Sequence, residues 1–155
     1  MVLRRVVAVL ALTSGLAALP ATARAGPRSD AELARIINAE RRAHGLRPLT
    51  LSPTLSRLAR NHSRAMAARD RLWHNDISHS SNHWVWLGQN VGLGALGDGG
   101  LGPSVRRLNA AFMASPPHQA NILKRGANRF GVGTFISRGQ IWTTINLEQT
   151  TPGWP

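Results

Sequence analysis

No cysteine occurs anywhere in the 155 residues. Its absence excludes disulfides, thiolate metal sites, a cysteine nucleophile and a lipid-modified N-terminal cysteine. Tyrosine is absent as well, only 7 side chains are acidic, and Lys124 is the single lysine among 19 basic residues. Such an arginine skew fits a GC-rich bacterial genome better than selection for phosphate binding. The arginines are scattered and no readout motif accompanies them, which argues against nucleic acid as a partner. Long apolar runs are missing too. The longest, Val6 to Leu19, is interrupted by Thr13, Ser14 and Gly15. It falls short of the roughly 20 apolar residues that cross a bilayer core as a helix, so no membrane span is expected.

What that run does resemble is the middle of a secretory signal. Arg4 and Arg5 precede it as a basic region, and Ala23-Arg24-Ala25 follows as a small-x-small cleavage site. Arg4-Arg5 alone leaves Sec and twin-arginine export both open. Taking residues 1–25 as a signal peptide leaves 130 of the 155, enough for a single domain over 26–155 with its core at about 30–148. Removing Arg4, Arg5 and Arg24 leaves 16 basic against 7 acidic residues, a charge of about +9. The expected protein is basic, secreted and monomeric. It would adhere to anionic wall polymers or lipid headgroups with a salt-sensitive affinity.

Helices come first along this domain. Ser29-Asp30-Ala31-Glu32 reads as a capping box, followed by Leu33, Ile36 and Ile37 at helical spacing and closed by Gly45. Ser52 and Pro53 open a second helix whose face is Leu55, Leu58, Ala59, His62 and Met66, running to about Asp70. From Arg71 to Pro103 periodicity is lost, and the segment reads as a long loop ordered by Trp73, Trp84 and Trp86. A third helix is predicted from Ser104 with Val105, Leu108 and Phe112 on one face, then a short one over His118–Leu123. Phe130–Ile136 and Gln140–Glu148 read as two strands of a hairpin. Helices followed by a hairpin give an α+β domain.

Gly92-Leu93-Gly94-Ala95-Leu96-Gly97 matches the dinucleotide pattern, yet no acidic residue follows about twenty positions on, and Gly99, Gly100, Gly102 and Pro103 argue against an immediate helix. A flexible turn is the better account. Among the histidines, His44 precedes the helix-ending Gly45 and reads as a cap. His62 lies on an apolar stripe and reads as a hydrogen-bonded core residue, while His79 and His83 sit in a polar loop and read as solvated. His74 and His118 are the two with no structural assignment, and spacing does not say whether they meet.

Several segments together resemble the CAP superfamily, or SCP domain, of cysteine-rich secretory and pathogenesis-related proteins, in its compact bacterial branch. They are Asn38-x-x-Arg41 with Gly45-Leu46-Arg47-Pro48-Leu49, Ala59-x-x-His62-Ser63-x-x-Met66, Gly88-Gln89-Asn90-Val91, and Ser115-Pro116-Pro117-His118-x-Ala120-Asn121-Ile122-Leu123 with Gly131-Val132-Gly133. The resemblance implies a three-layer α-β-α sandwich with a cleft lined by two histidines and one or two carboxylates, where family members hold a divalent metal. It places His74 and His118 as the cleft histidines and Gln89 where the family has glutamate. The second family glutamate falls near Ser115, and Ile145 stands where glutamine is common.

Gln89 is the departure with consequences. Glutamine nearly matches glutamate in shape, so the fold should tolerate it. An amide is neither a general base nor a good zinc ligand. The implied function is extracellular binding of a lipid, a cell-wall polymer or a protein, through a cleft of His74, Gln89, His118 and Ser115. The alternative is a metal-dependent hydrolase in which zinc, held weakly by His74 and His118, gains a carboxylate from Asp76.

Overall fold

The computed structural model describes residues 27–151; the predicted leader and cleavage site lie outside the described residues. The elements run α1 (Pro27–Ala43), β1 (Thr50–Leu51), α2 (Pro53–Arg69), a 3-10 turn (Ser78–Ser80), β2 (Trp84–Ala95), α3 (Leu101–Met113), α4 (Pro116–Ile122), β3 (Arg129–Ser137) and β4 (Gln140–Thr150). The sheet order is β1-β3-β4-β2. The β1–β3 pair is parallel, and the β2–β4 and β3–β4 pairs are antiparallel.

Strand alternation assigns the layers. Phe130, Val132, Ile145 and Leu147 point to one face, where they join Leu33 and Ile37 of α1, Leu108 and Phe112 of α3 and Ile122 of α4 in the main core. The opposite face carries Gly131, Gly133, Thr144 and Asn146 and receives α2 alone. There the contact is partly polar: Ser63 Oγ bonds the Gly133 carbonyl and the Thr144 hydroxyl, each at 2.9 Å. A small apolar cluster of Met66, Ala67, Val91 and Trp142 completes it. The result is the expected α+β sandwich of three layers.

Local signals hold at several element ends. Ser52 Oγ caps α2 by accepting the Leu55 N–H at 3.3 Å, with Pro53 in the first turn. Asp70 ends that helix in the left-handed region (φ 48°). Arg138 and Gly139, both at positive φ, make the two-residue turn of the β3–β4 hairpin, which needs left-handed backbone at both positions.

Four expectations fail, each for a physical reason. The capping box does not form, because α1 begins at Pro27 and Ser29 is already inside it. The Ser29 hydroxyl meets that of Thr134, while Glu32 pairs with Arg35 and Arg106. The loop read over Arg71–Pro103 contains the twelve-residue strand β2. Its apolar alternation is broken by glycines that make room for neighbours. A Cβ at Gly92 would lie 2.7 Å from the Phe112 ring, so Gly92 and Gly94 are strand positions rather than a flexible turn. Helix α3 starts at Leu101, with Gly102 and Pro103 in its first turn, where proline's missing N–H has no intrahelical partner to lose. Helix α4 likewise starts at Pro116 rather than His118. Strand β1, two residues long, carries too little pattern to be read.

Candidate functional site

Placement of His74 begins with His62. On the buried face of α2, His62 donates Nε2–H to the Trp73 carbonyl at 2.7 Å, and its ring meets the Trp73 indole edge-on at 5.0 Å. This is the core histidine the sequence implied. It pins the chain just after α2 and leaves the next residue, His74, exposed above the middle of β2.

There Gln89 receives it. The Gln89 Oε1 accepts the backbone N–H of Asn75 at 3.2 Å and faces His74 Nδ1 at 3.0 Å. Its Nε2 donates to Asn75 Oδ1 and Asn146 Oδ1, both at 2.9 Å. The Asn75 N–H is a fixed donor, so the oxygen must sit on that side, which in turn makes His74 Nδ1 a donor. His74 therefore presents its Nε2 lone pair outward. Asn146 lies opposite Gln89 in the β2–β4 register and is itself held through its Nδ2 by the Leu55 carbonyl at 3.2 Å.

His118 comes from the other layer. It is the third residue of α4, its Nδ1 lies 2.8 Å from Ser115 Oγ, and its ring meets Phe112 at 5.2 Å. Its backbone is tied to β2, since Asn90 Nδ2 donates to the His118 carbonyl at 2.9 Å and Asn121 Nδ2 donates to Asn90 Oδ1 at 2.9 Å. Burial pushes the His118 imidazole below the ordinary histidine range, and charge on His74 pushes it further the same way. The Ser115 hydroxyl is taken up by the His118 imidazole and makes no capping bond to α4.

Beside Gln89 opens a cleft of about 240 Å³ lined by Asn75, Asp76, Ile77, Leu87, Gly88 and Gln89. Asp76 reaches this cleft but not the histidines. Its oxygens accept the Ser78 N–H (2.8 Å) and hydroxyl (3.0 Å), and these bonds hold its carboxyl below the usual range. Among the described residues no three His, Cys, Asp or Glu side chains are grouped to hold a metal ion. Ile145 is fully buried in the main core, and the polar group from β4 that bonds Gln89 is its buried neighbour Asn146. His44 caps α1 as expected, its Nδ1 at 2.8 Å from the Glu40 carbonyl. His79 is exposed; His83 is half-buried, and its carbonyl accepts the Thr151 N–H.

Sequence reasoning gave no role of their own to Asn75, Asn90, Asn121 and Asn146, although Asn90 and Asn121 stood in the family segments. Neutral amides carry no chemical signature of their own. The available signal was adjacency: three of the four sit beside, or three residues from, a histidine or Gln89 already singled out.

The buried imidazoles set a pH dependence. Burial is the leading cause that lowers His62 and His118 below 6.5. Between each folded value and 6.5 the unfolded chain binds more protons, so stability must fall as pH drops through that window. Each group can contribute a slope of up to about 1.4 kcal/mol per pH unit there. Asp30, raised by burial despite bonds from Thr134 and Arg60, acts with the opposite sign in the window just above 3.8. Urea unfolding at pH 7.5 and 5.5 is expected to show a lower midpoint at the acid pH with unchanged m-value. His62→Gln is expected to shrink the difference; an unchanged difference would rule out His62 as its source.

The family description CAP, cysteine-rich secretory protein family, matches residues 34–144. The uncharacterized protein YkwD of Bacillus subtilis (strain 168) is 29% identical over 121 residues, 72% of this chain. The chain spans 44% of that relative's length. An outer surface protein of Borrelia burgdorferi superposes with a TM-score of 0.70 at 11% identity, covering 83% of this chain and 99% of its own. A cysteine-rich secretory protein of Staphylococcus aureus superposes with a TM-score of 0.62 at 19% identity, covering 80% of this chain and 39% of its own.

Proposed function

Because this chain belongs to the CAP, or cysteine-rich secretory protein, family, we propose that it works outside the cell as a binding protein whose ligand enters the His74–Gln89–His118 cleft. Export through cleavage after Ala25 is part of this reading, and N-terminal sequencing of the secreted form is expected to begin at Gly26. The ligand classes it admits are a lipid, a cell-wall polymer or a protein.

The carrying observation is the commitment of Gln89. Its amide bonds His74, the Asn75 backbone, the Asn75 side chain and Asn146, and so fills the cleft's acidic position with a neutral, immobile group. Zinc sites use three or four ligands drawn from Cys, His and carboxylate. Here the donors are two imidazoles and an amide, a set that does not fit a tightly held ion. A hydrolase reading needs Asp76 to supply the missing carboxylate, and Asp76 is turned to Ser78. The arrangement favours holding a ligand over moving protons.

Calorimetric zinc titration tests this directly. Wild type is expected to bind weakly and Gln89→Glu more tightly by about tenfold or more, since even outer partners of a metal site change affinity by that factor. Asp76→Asn is expected to change nothing. Tight, stoichiometric zinc in wild type, lost in Asp76→Asn, would overturn the binding reading in favour of the hydrolase. Mass spectrometry of what co-purifies with the native protein would then name the ligand class.

A further inference from the structure

The end of α2 carries an arrangement that the cleft does not use. The guanidinium carbon of Arg69 lies 5.2 Å from the centroid of the Trp73 ring, and that of Arg71 lies 5.5 Å from the same centroid. Both arginines are exposed. Among the described residues neither guanidinium makes a hydrogen bond or an ion pair, not even with Asp70 between them.

Helix-end electrostatics explains one of these arginines. A cation in the last turn interacts favourably with the carbonyl end of α2, which accounts for Arg69. Arg71 lies beyond the helix. It is brought back by the left-handed Asp70 and by its own N–H, which bonds the Met66 carbonyl at 3.2 Å. Two like charges gathered on one ring repel each other in the absence of a counter-charge. The ring they share is held in place, since Trp73 is fixed by its edge contact with His62 and by its carbonyl bond. The result is a pair of planar forks with every guanidinium N–H uncommitted among the described residues, gathered on the ring of Trp73, the residue before His74.

We propose that Arg69, Arg71 and Trp73 form a phosphate-binding platform for an extracellular phosphodiester polymer of the polyol-phosphate type. Two forks of guanidinium donors match phosphate oxygens bidentately, and two cations gathered on one ring favour a ligand that carries more than one negative charge. A nucleic-acid strand would want a free aromatic face for base stacking, and the Trp73 ring is already occupied by guanidiniums and His62. A membrane surface would want apolar anchors. The immediate segment 69–74 exposes only one strongly apolar side chain, Leu72, at 43%. Composition gave no reason to expect phosphate recognition; the placement of these two arginines does.

The test uses the full secreted chain and a fluorescent poly(glycerol phosphate) probe, followed by anisotropy at fixed salt. Arg69→Gln/Arg71→Gln is expected to weaken binding by about tenfold or more, because two charge-assisted contacts are lost. Arg106→Gln/Arg107→Gln removes the same charge from α3 and is expected to cost less than about twofold, the effect of remote, screened charge. Arg69→Lys/Arg71→Lys keeps charge without the forks and is expected to fall between them. Equal losses in the two glutamine pairs would overturn the platform in favour of diffuse attraction. So would wild-type affinity in the lysine pair. Tighter binding to phosphatidylglycerol vesicles, or to a single-stranded oligonucleotide of equal charge, would overturn the polymer assignment. All four positions are exposed, and melting temperatures verify that each variant is folded.

Discussion

Replacing Gly133 with alanine is expected to destabilise the domain by about 3 kcal/mol or more, at or beyond the upper end for overpacking a core. A Cβ there would stand 2.1 Å from the Arg60 nitrogen and 2.3 Å from the Ala59 carbonyl carbon. Both are backbone atoms in the middle of α2, so no rotamer change can relieve the clash. The helix must lift from the sheet, and lifting it would pull apart the Ser63 bonds to Gly133 and Thr144 and open the small cluster around Met66 and Trp142. Gly131 makes the same demand two residues earlier, at 2.1 Å from the Leu55 carbonyl carbon. Small domains hold roughly 5–15 kcal/mol in total, so one added methyl group would consume a large share. Gly94→Ala is the control: its Cβ would sit 3.6 Å from Leu108, an ordinary contact, and a change within about 0.5 kcal/mol is expected. Urea denaturation of the three proteins decides it. Equal stability of Gly133→Ala and Gly94→Ala would show that α2 can rise without penalty.

That close approach bears on how much of the molecule was legible. Gly131-Val132-Gly133 entered the sequence reading as part of a family signature, with no physical role attached. Periodicity located α2 because its apolar residues face one partner, and the hairpin was legible as two runs rich in β-branched and aromatic residues around Ser137-Arg138-Gly139. It failed on β2, where Gly88, Gly92 and Gly94 stand at positions that would otherwise alternate. A glycine that admits a neighbour's side chain looks the same in sequence as one that turns the chain. The capping box failed for a related reason, since Ser29 had a partner 105 residues away on β3 that no local pattern could reveal. At the site, His74, Gln89, His118 and Ser115 were placed by resemblance, and the structure pairs His74 with Gln89 and His118 with Ser115. The amides that orient them were invisible because their value lies in mutual geometry. Asn38, quoted in the sequence only as part of a family segment, has a structural use of the same kind away from the site. Its side chain bonds the Leu49 carbonyl (3.0 Å) and accepts the Leu49 N–H (2.8 Å), standing in for a paired strand.

Arg41, the other half of that Asn38-x-x-Arg41 pair, is expected to be as sensitive as Gly133. It is fully buried on α1 and, among the described residues, has no acidic partner. Its guanidinium is solvated by main-chain oxygens instead: Nε donates to the Arg47 carbonyl at 2.9 Å, Nη1 to Ile122 at 2.6 Å and to Lys124 at 3.0 Å, and Nη2 to Ala127 at 3.4 Å. Burial lowers its pKa from the ordinary arginine value, the signature of a charge held at a cost in the folded state. That cost is offset because one side chain satisfies carbonyls from three stretches: the turn after α1, the end of α4, and the approach to β3. The Ile122 and Lys124 carbonyls lie at the C-terminal end of α4, where a cation is favoured. Position of α4 matters to the cleft, because α4 carries His118. Arg41→Met keeps the apolar stem but orphans these buried acceptors, and a loss of about 3–5 kcal/mol is expected. Arg41→Lys keeps the charge without the fork and cannot reach all three stretches, so it should recover less than half of that. The effect should reach the cleft as well: in any Arg41 variant that still folds, hydrogen exchange should quicken across residues 116–123 before it does in α2. A Met variant within about 1 kcal/mol of wild type would show that the carbonyls find water in place of the guanidinium.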